Sequence, residues 1–220
     1  MWTDLGGGVR VRQSRAYAMN SLLLLDPEHT VIVDPGVLPS ELDDLAAMVA
    51  DRRPVRVTLV FSHAHWDHVL GRPWWPHAES LAHARFSSEV RASEASIARE
   101  AERLAAVHGE AFARAFRAFE PDRAVAGESR VEIGPWPLVT RDAPGHCASQ
   151  ITVHLPRARL LFAADMLSDI EIPMLDGPCA TYRRTLEALA PLFEGGAVET
   201  LVPGHGSPAR GAAAASARLL

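Results

Sequence analysis

Six consecutive positions, His63-Ala64-His65-Trp66-Asp67-His68, hold three imidazoles and a carboxylate directly behind the apolar run Val57-Thr58-Leu59-Val60-Phe61. The run reads as a buried strand, so the fold must deliver this cluster at a strand's C-terminal end and bring other segments to it. While the backbone stays extended, period-two alternation points His63, His65 and Asp67 to one side, and a turn into a helix after Asp67 swings His68 round to join them. Imidazole and carboxylate together suit zinc, and iron or manganese accept the same donors. Such clustering is not expected by chance from 10 His in 220 residues, so an incidental His-rich surface loop is set aside.

The remaining composition bounds the class. A chain of 220 residues suits one domain, here 1–220, with enough apolar content (48%) to bury a core without disulfides. A net charge of -5 offers nothing to a phosphate backbone, so no nucleic-acid partner is expected. Leu22 to Leu25 is far too short to span a bilayer, and the opening residues lack a charged region followed by an apolar one. A cytoplasmic protein with no membrane partner is therefore expected. Cys147 and Cys179 form no CxxC pattern, which fits a reducing compartment.

Along the chain, Val9 to Gln13, Tyr17 to Asp26 and Thr30 to Val33 read as strands, and Asp34-Pro35-Gly36 ends that unit. Ser40 is the expected N-cap of a helix running to about Arg53, with Leu42, Leu45, Met48 and Val49 at helical spacing. Val55 to Phe61 is the strand carrying the metal motif. Residues 86–119 read as the longest helical stretch, with a break signalled at His108-Gly109. Strands return at about Leu138 to Asp142, Gln150 to Leu155, Arg159 to Ala163 and Glu199 to Val202, with a helix from about Tyr182 to Phe193 and an Ala-rich helix from about Ala209. Three more candidate ligands stand at strand ends: His146 after Pro144-Gly145, Asp165 after Leu161-Phe162-Ala163-Ala164, and His205 after Val202-Pro203-Gly204.

In these residues the chain resembles the metallo-β-lactamase superfamily over nearly its whole length. The match runs through Ser62-His63-Ala64-His65-Trp66-Asp67-His68 with Gly71 beyond, Pro144-Gly145-His146, Leu161-Phe162-Ala163-Ala164-Asp165 and Val202-Pro203-Gly204-His205-Gly206. The resemblance implies an α/β fold, a four-layer αββα sandwich with the metals at one edge. It implies two divalent metal ions per chain, zinc first and iron or manganese as substitutes. His63, His65 and His146 would hold one ion and Asp67, His68 and His205 the other, with Asp165 bridging. Asp34 matches an upstream acidic position that supports the metal loop. Two departures stand out. Ala164 precedes Asp165 where glycine is commonest, and only fifteen residues follow His205, which leaves no room for the helical glutathione-binding domain of glyoxalase II enzymes.

The implied chemistry is hydrolysis of a small-molecule ester, thioester or lactone. Metals lower the pKa of bound water from 15.7 to about 7, and Asp67 would orient the resulting hydroxide and take its proton. Ser62 has no GxSxG turn around it and reads as a capping residue. Trp74 and Trp75 are expected to wall an apolar pocket or pack in the core, and Tyr17 to offer an oxyanion donor. The 86–119 segment occupies a variable insertion that in relatives forms a lid, a homodimer contact or a plain helical layer. An Asp at position 165, where β-lactamases carry Cys or Ser, argues against antibiotic hydrolysis. A mono-iron persulfide dioxygenase using His63, His146 and Asp165 is the rival from another class, and a phosphodiesterase or nuclease is disfavoured by the acidic charge. His29, His77, His83, His108 and His154 lack ligand spacing, and Cys147 reads as a buried thiol.

Overall fold

A computed structural model describes residues 1–219. Its first sheet joins seven strands in sequence order: β1 (Trp2–Gly6), β2 (Val9–Gln13), β3 (Asn20–Leu24), β4 (His29–Val33), β5 (Arg56–Val60), β6 (Glu79–His83) and β7 (Arg123–Val125). The first four are antiparallel neighbours, and β4 through β7 run parallel. The second sheet contains β8 (Ser129–Ile133), β9 (Trp136–Asp142), β10 (Ile151–Leu155), β11 (Leu160–Phe162), β12 (Thr200–Val202) and β13 (Ala209–Arg210), with β11 and β12 its parallel pair. Three helices, α1 (Pro39–Arg52), the short α2 (Trp66–Val69) and α3 (Phe86–Val107), accompany the first sheet, and α4 (Cys179–Glu194) and α5 (Ala212–Ser216) accompany the second.

Alternation along the strands builds the layers. Leu22, Leu24, Val31 and Val33 point to the space between the sheets, where they meet Val131, Ile151, Val153 and Phe162. Their sequence neighbours Leu23 and Ile32 point the other way, onto Leu45 and Val49 of α1 and Val90, Ile97 and Leu104 of α3. In the second sheet Leu160 and Phe162 face inward, while Leu161 turns out to Leu189 and Phe193 of α4. Strands buried on both faces read as continuous apolar runs, which is why Leu22 to Leu25 shows no polar alternation. The result is the αββα sandwich. Among the described residues, no helix is long and apolar enough to cross a membrane.

Several boundaries differ from expectation for physical reasons. The helix expected over 86–119 ends at Val107. There His108 and Glu110 fold their N–H groups back to the Ala105 carbonyl and Gly109 takes φ +70°, the reversal that closes helices. The Glu110 carboxylate is then fixed by Arg15 and by the backbone and hydroxyl of Ser40. Ser40 is thus not the N-cap of α1; Leu38 holds that place, with Pro39 in the first turn. Phe112, Phe116 and Phe119 pack from irregular chain, with the Phe119 ring 4.9 Å from Phe61 and 5.2 Å from Phe86. The strand expected from Tyr17 begins only at Asn20, because Tyr17 and Ala18 adopt left-handed backbone. Strands β1, β6, β7, β8 and β13 escaped the sequence reading; β1 and β8 expose alternate residues at sheet edges, β7 has three residues, and the two-residue β13 stands at Ala209, where the Ala-rich helix is expected to start, so that α5 begins only at Ala212.

Candidate metal centre

Strand direction explains how distant residues meet. In the second sheet β9, β11 and β12 run the same way, since β10 is antiparallel to both β9 and β11 and β12 is parallel to β11. Their C-terminal ends therefore share one edge and deliver His146, Asp165 and His205 there. The first sheet brings the C-terminal end of β5 to the same edge, where Ile151 N–H donates to the Ser62 carbonyl (2.8 Å) and Asn20 N–H to the Gly204 carbonyl (2.6 Å) across the sandwich. His65 begins α2 and Asp67 and His68 lie in its single turn, which swings the last imidazole back as its position after Asp67 predicts.

All seven expected ligands converge. His63, His65 and His146 form one group, Asp67, His68 and His205 a second, and Asp165 joins His63 and His68 between them, each group with donor atoms within 4.8 Å of one another. Asp165 Oδ2 is 3.3 Å from His146 Nε2 and 3.8 Å from His63 Nε2, while Oδ1 is 3.1 Å from His68 Nε2 and 3.5 Å from His205 Nε2. Four of the imidazoles have Nδ1 tied to an acceptor: His63 to Ser62 Oγ (3.0 Å), His68 to Asp34 Oδ2 (2.8 Å), His146 to the Met174 carbonyl (2.7 Å) and His205 to the Tyr17 carbonyl (2.9 Å). With the proton on Nδ1, the lone pair sits on Nε2 and faces the centre. Among the described residues, buried His63 Nε2 and His146 Nε2 have no hydrogen-bond partner. Unpaired buried acceptors turned on one another are costly, and a cation between them satisfies all at once. The donor set therefore fits divalent metal.

Charge is distributed unevenly across the two groups. Burial, reinforced by the neighbouring imidazoles, holds His63 well below the usual histidine range and lowers His65. Burial opposes charge on His68 too, but Asp165, Asp67 and Asp34 outweigh it and raise that imidazole well above its usual value. His205 is pushed up to about 9, burial being overcome by its hydrogen bond to Asp67 and by Asp165. Burial would raise Asp67 and Asp165, yet His68 leads the groups that lower both carboxyls. Burial thus favours neutral imidazoles at His63 and His65, while the carboxylates favour protonated ones at His68 and His205.

The supporting contacts show what the sequence reading missed. Asp34, fully buried, accepts from Ser62 N–H (2.7 Å), Ser62 Oγ (2.5 Å) and His68, so Ser62 relays from Asp34 to His63 and is neither helix cap nor nucleophile. Gln150 donates to the Ala143 carbonyl (3.0 Å) and accepts from Asp165 N–H (3.2 Å), linking the His146 and Asp165 loops. Asn20 donates to the Pro203 and Gly206 carbonyls and fixes the His205 loop. No spacing rule marks either amide, since each acts through backbone of remote segments. Glu171 brings a carboxylate within ligand distance of Asp165 and His205, again with no signal in its spacing. Two motif glycines are required by close approach: a Cβ at Gly71 would strike the Pro35 carbonyl, and one at Gly204 would strike Asp165 Oδ1. Ala164 lies at φ +50°, which accounts for the glycine common at that point in the family.

The aromatic expectations divide. Trp74 and Trp75 do not wall the metal site: they border a cavity with Val55, Arg56 and Val57 at the opposite, N-terminal end of β5. Trp74 donates to Asp43 Oδ1 (2.7 Å), and Trp75 packs on the outer core. Their nearness in sequence misled because residues 72–74 form a 3-10 turn that carries the chain away from the ligands. Tyr17 does reach the site, through the carbonyl that accepts from His205, and its ring stands edge-on to Trp66 at 5.9 Å. Burial pushes the Cys147 thiol up to about 12, which keeps it protonated and unreactive.

Comparison with known proteins agrees with the geometry. Acyl-coenzyme A thioesterase MBLAC2 of Homo sapiens is 29% identical over 231 residues, covering 92% of this chain and 79% of its own, and that of Bos taurus is equally similar. Among solved structures, a metallo-beta-lactamase from Pontibacter korlensis aligns at TM-score 0.70 and 17% identity over 100% of this chain and 96% of its own. The sec-alkylsulfatase Pisa1 from a Pseudomonas species aligns at TM-score 0.75 and 14% identity over 99% of this chain and 40% of its own; at such identities these two show the fold alone. The sequence profile described as metallo-beta-lactamase superfamily matches residues 15–205, the span from the loop beside His205 to His205 itself, and the chain belongs to that superfamily.

Proposed function

We propose that the protein is a metal-dependent hydrolase that uses two divalent ions, with zinc the first choice, to cleave an acyl thioester, with simple esters and lactones as slower substrates. The observation that carries this reading is the convergence of Nε2 atoms, fixed by their Nδ1 partners, on the carboxylate of Asp165. His63, His65 and His146 would hold one ion, Asp67, His68 and His205 the other, and Asp165 would touch both. When bound, such ions acidify water toward neutrality and polarise the carbonyl under attack. Asp67, with Oδ2 3.2 Å from His205 Nε2 and 3.8 Å from His68 Nε2, is positioned to orient the attacking water and accept its proton. The water oxygen bonds to the acyl carbon, the carbon–sulfur bond breaks, and the proton passes from Asp67 to the departing thiol.

Preference for thioesters draws on the acyl-coenzyme A thioesterase relatives, which align over most of the chain. The test is hydrolysis by the zinc-reconstituted protein of acetyl- and longer acyl-coenzyme A, lactones, p-nitrophenyl esters, lactoylglutathione and a cephalosporin reporter. Acyl-coenzyme A substrates are expected to lead the panel. A protein that holds metal and cleaves none of the thioesters, esters or lactones would overturn the assignment.

A further inference from the structure

Eight large apolar side chains are exposed among the described residues, and four of them belong to segments tied to the metal ligands: Tyr17 (50% exposed), Ile170 (56%), Ile172 (87%) and Met174 (81%). The last three belong to a strap between Asp165 and α4 that pairs with no strand. Asp169 accepts from Ser207 N–H beside His205, Glu171 approaches Asp165 and His205, and Pro173 is buried; Ile170, Ile172 and Met174, between and beyond them, face solvent. The strap is tied to the ligands along its length: Ser168 Oγ donates to the His205 carbonyl (2.8 Å), the Met174 carbonyl accepts from His146 Nδ1 (2.7 Å), and Asp176 N–H donates to the His146 carbonyl (3.0 Å). Opposite it, the Tyr17 carbonyl accepts from His205 Nδ1 and the Tyr17 ring rests on Trp66. Two carbonyls that orient ligand imidazoles thus belong to residues whose own side chains are exposed and apolar.

Exposed apolar groups of this size carry a standing hydration cost, and a row of them on a strap whose backbone holds the ligand imidazoles suits an apolar chain attached to the group being cleaved. We propose that the strap 168–176 and Tyr17 form two banks that bind the hydrocarbon chain of a medium or long acyl thioester, and that Ile170, Ile172 and Met174 set chain-length preference; this rests on the thioester reading above. The residues span about 13 Å of extended backbone at roughly 3.3 Å per residue, so several methylenes can lie against them.

The experiment compares the zinc-loaded protein with its Ile172→Ser/Met174→Ser variant, both changes being on exposed loop positions. Two quantities are read: the ratio of kcat/KM for lauroyl- to acetyl-coenzyme A, and the affinity for a fluorescent fatty acid followed without turnover. Losing apolar contact from two side chains should lower the ratio at least about tenfold, chiefly through KM, and weaken the fatty acid by a similar factor. Unchanged ratio and unchanged fatty-acid affinity would overturn the proposal. So would unchanged fatty-acid affinity accompanied by lost self-association in sedimentation or lost binding to phosphatidylcholine vesicles, which would make the strap a contact surface instead. If the native protein cleaves no acyl-coenzyme A, the thioester reading fails, and the fatty-acid measurement still decides the strap.

Discussion

Replacing Asp34 tests whether the support behind the metal loop acts through the proton position on His68. Three donors converge on this buried carboxylate, Ser62 N–H, Ser62 O–H and His68 Nδ1–H. Asp34→Ala would leave all three unpaired at about 1 to 3 kcal/mol each, and an alanine at φ +48° adds about 1 to 2 kcal/mol. The sum approaches the whole stability of a domain, about 5 to 15 kcal/mol, so that variant is expected to misfold and is uninformative. Asp34→Asn is the useful change, because asparagine tolerates left-handed backbone and its carbonyl can still accept from Ser62 N–H. Its amide, however, donates where the carboxylate accepted. His68 must then move its proton from Nδ1 to Nε2, and Nε2 is the atom that faces Asp165 and His205. Zinc affinity at the Asp67, His68 and His205 group should fall about 10- to 100-fold, with the His63, His65 and His146 group much less affected. Competitive chelator titration measures both affinities, and a thermal melt checks that the fold survives. Tight binding of both zinc ions by Asp34→Asn, equal to the native protein's, would refute the argument.

Other outcomes follow from the same geometry. Asp67→Ala should lower turnover of the best thioester by at least about 100-fold, and more than His205→Ala does; near-native rates would remove Asp67 from the proton transfer. Elemental analysis after zinc reconstitution should give two ions per chain, and a single bound iron with oxygen consumption would favour the dioxygenase class instead. In the metal-free protein His205 has a folded pKa raised to about 9 from 6.5, so its stabilising contribution is complete below about pH 6.5 and is lost as pH rises through about 9. Melting temperature in chelator should therefore fall over that window, whereas zinc, which needs neutral imidazoles, should bind more tightly across it; a melt that rises with pH in chelator contradicts this. Cephalosporin hydrolysis should be slow relative to acyl-coenzyme A hydrolysis, and the reverse order would sink the inference drawn from Asp165.

The legible parts of this chain were those set by local pattern. The motif 63–68 was readable because an apolar run precedes it, and His146, Asp165 and His205 because each closes a strand of the same direction. Partners separated by long stretches of chain were not readable. Gln150 and Asn20 act on backbone carbonyls and amides of other loops, and a buried amide has the same letter as an exposed one. The apolar spacing of Phe112, Phe116 and Phe119 imitates a helix because irregular chain running across a core can bury every third or fourth residue. Trp74 and Trp75 failed for a related reason: sequence nearness to a ligand says nothing about direction after a tight turn.

Backbone strain marks the site as plainly as the ligands do. Among the described residues, seven other than glycine adopt left-handed backbone, and five of them, Tyr17, Ala18, Asp34, Ala164 and Leu167, flank the metal centre. Each costs of order 1 kcal/mol or more and persists only where its surroundings over-determine it. Those surroundings are visible: Gly206 N–H donates to the Ala18 carbonyl, Met166 and Gly204 N–H groups both reach the Ala164 carbonyl, and Asp34 N–H donates to the Val60 carbonyl. The turns aim the Tyr17 carbonyl at His205, the Asp34 carboxylate at His68 and the Asp165 carboxylate between the two ligand groups. Relaxed backbone at these points would carry the same side chains elsewhere. The interior strands hold the turns rigid, so the strain is met by the three packed cores that keep the ligand atoms in place.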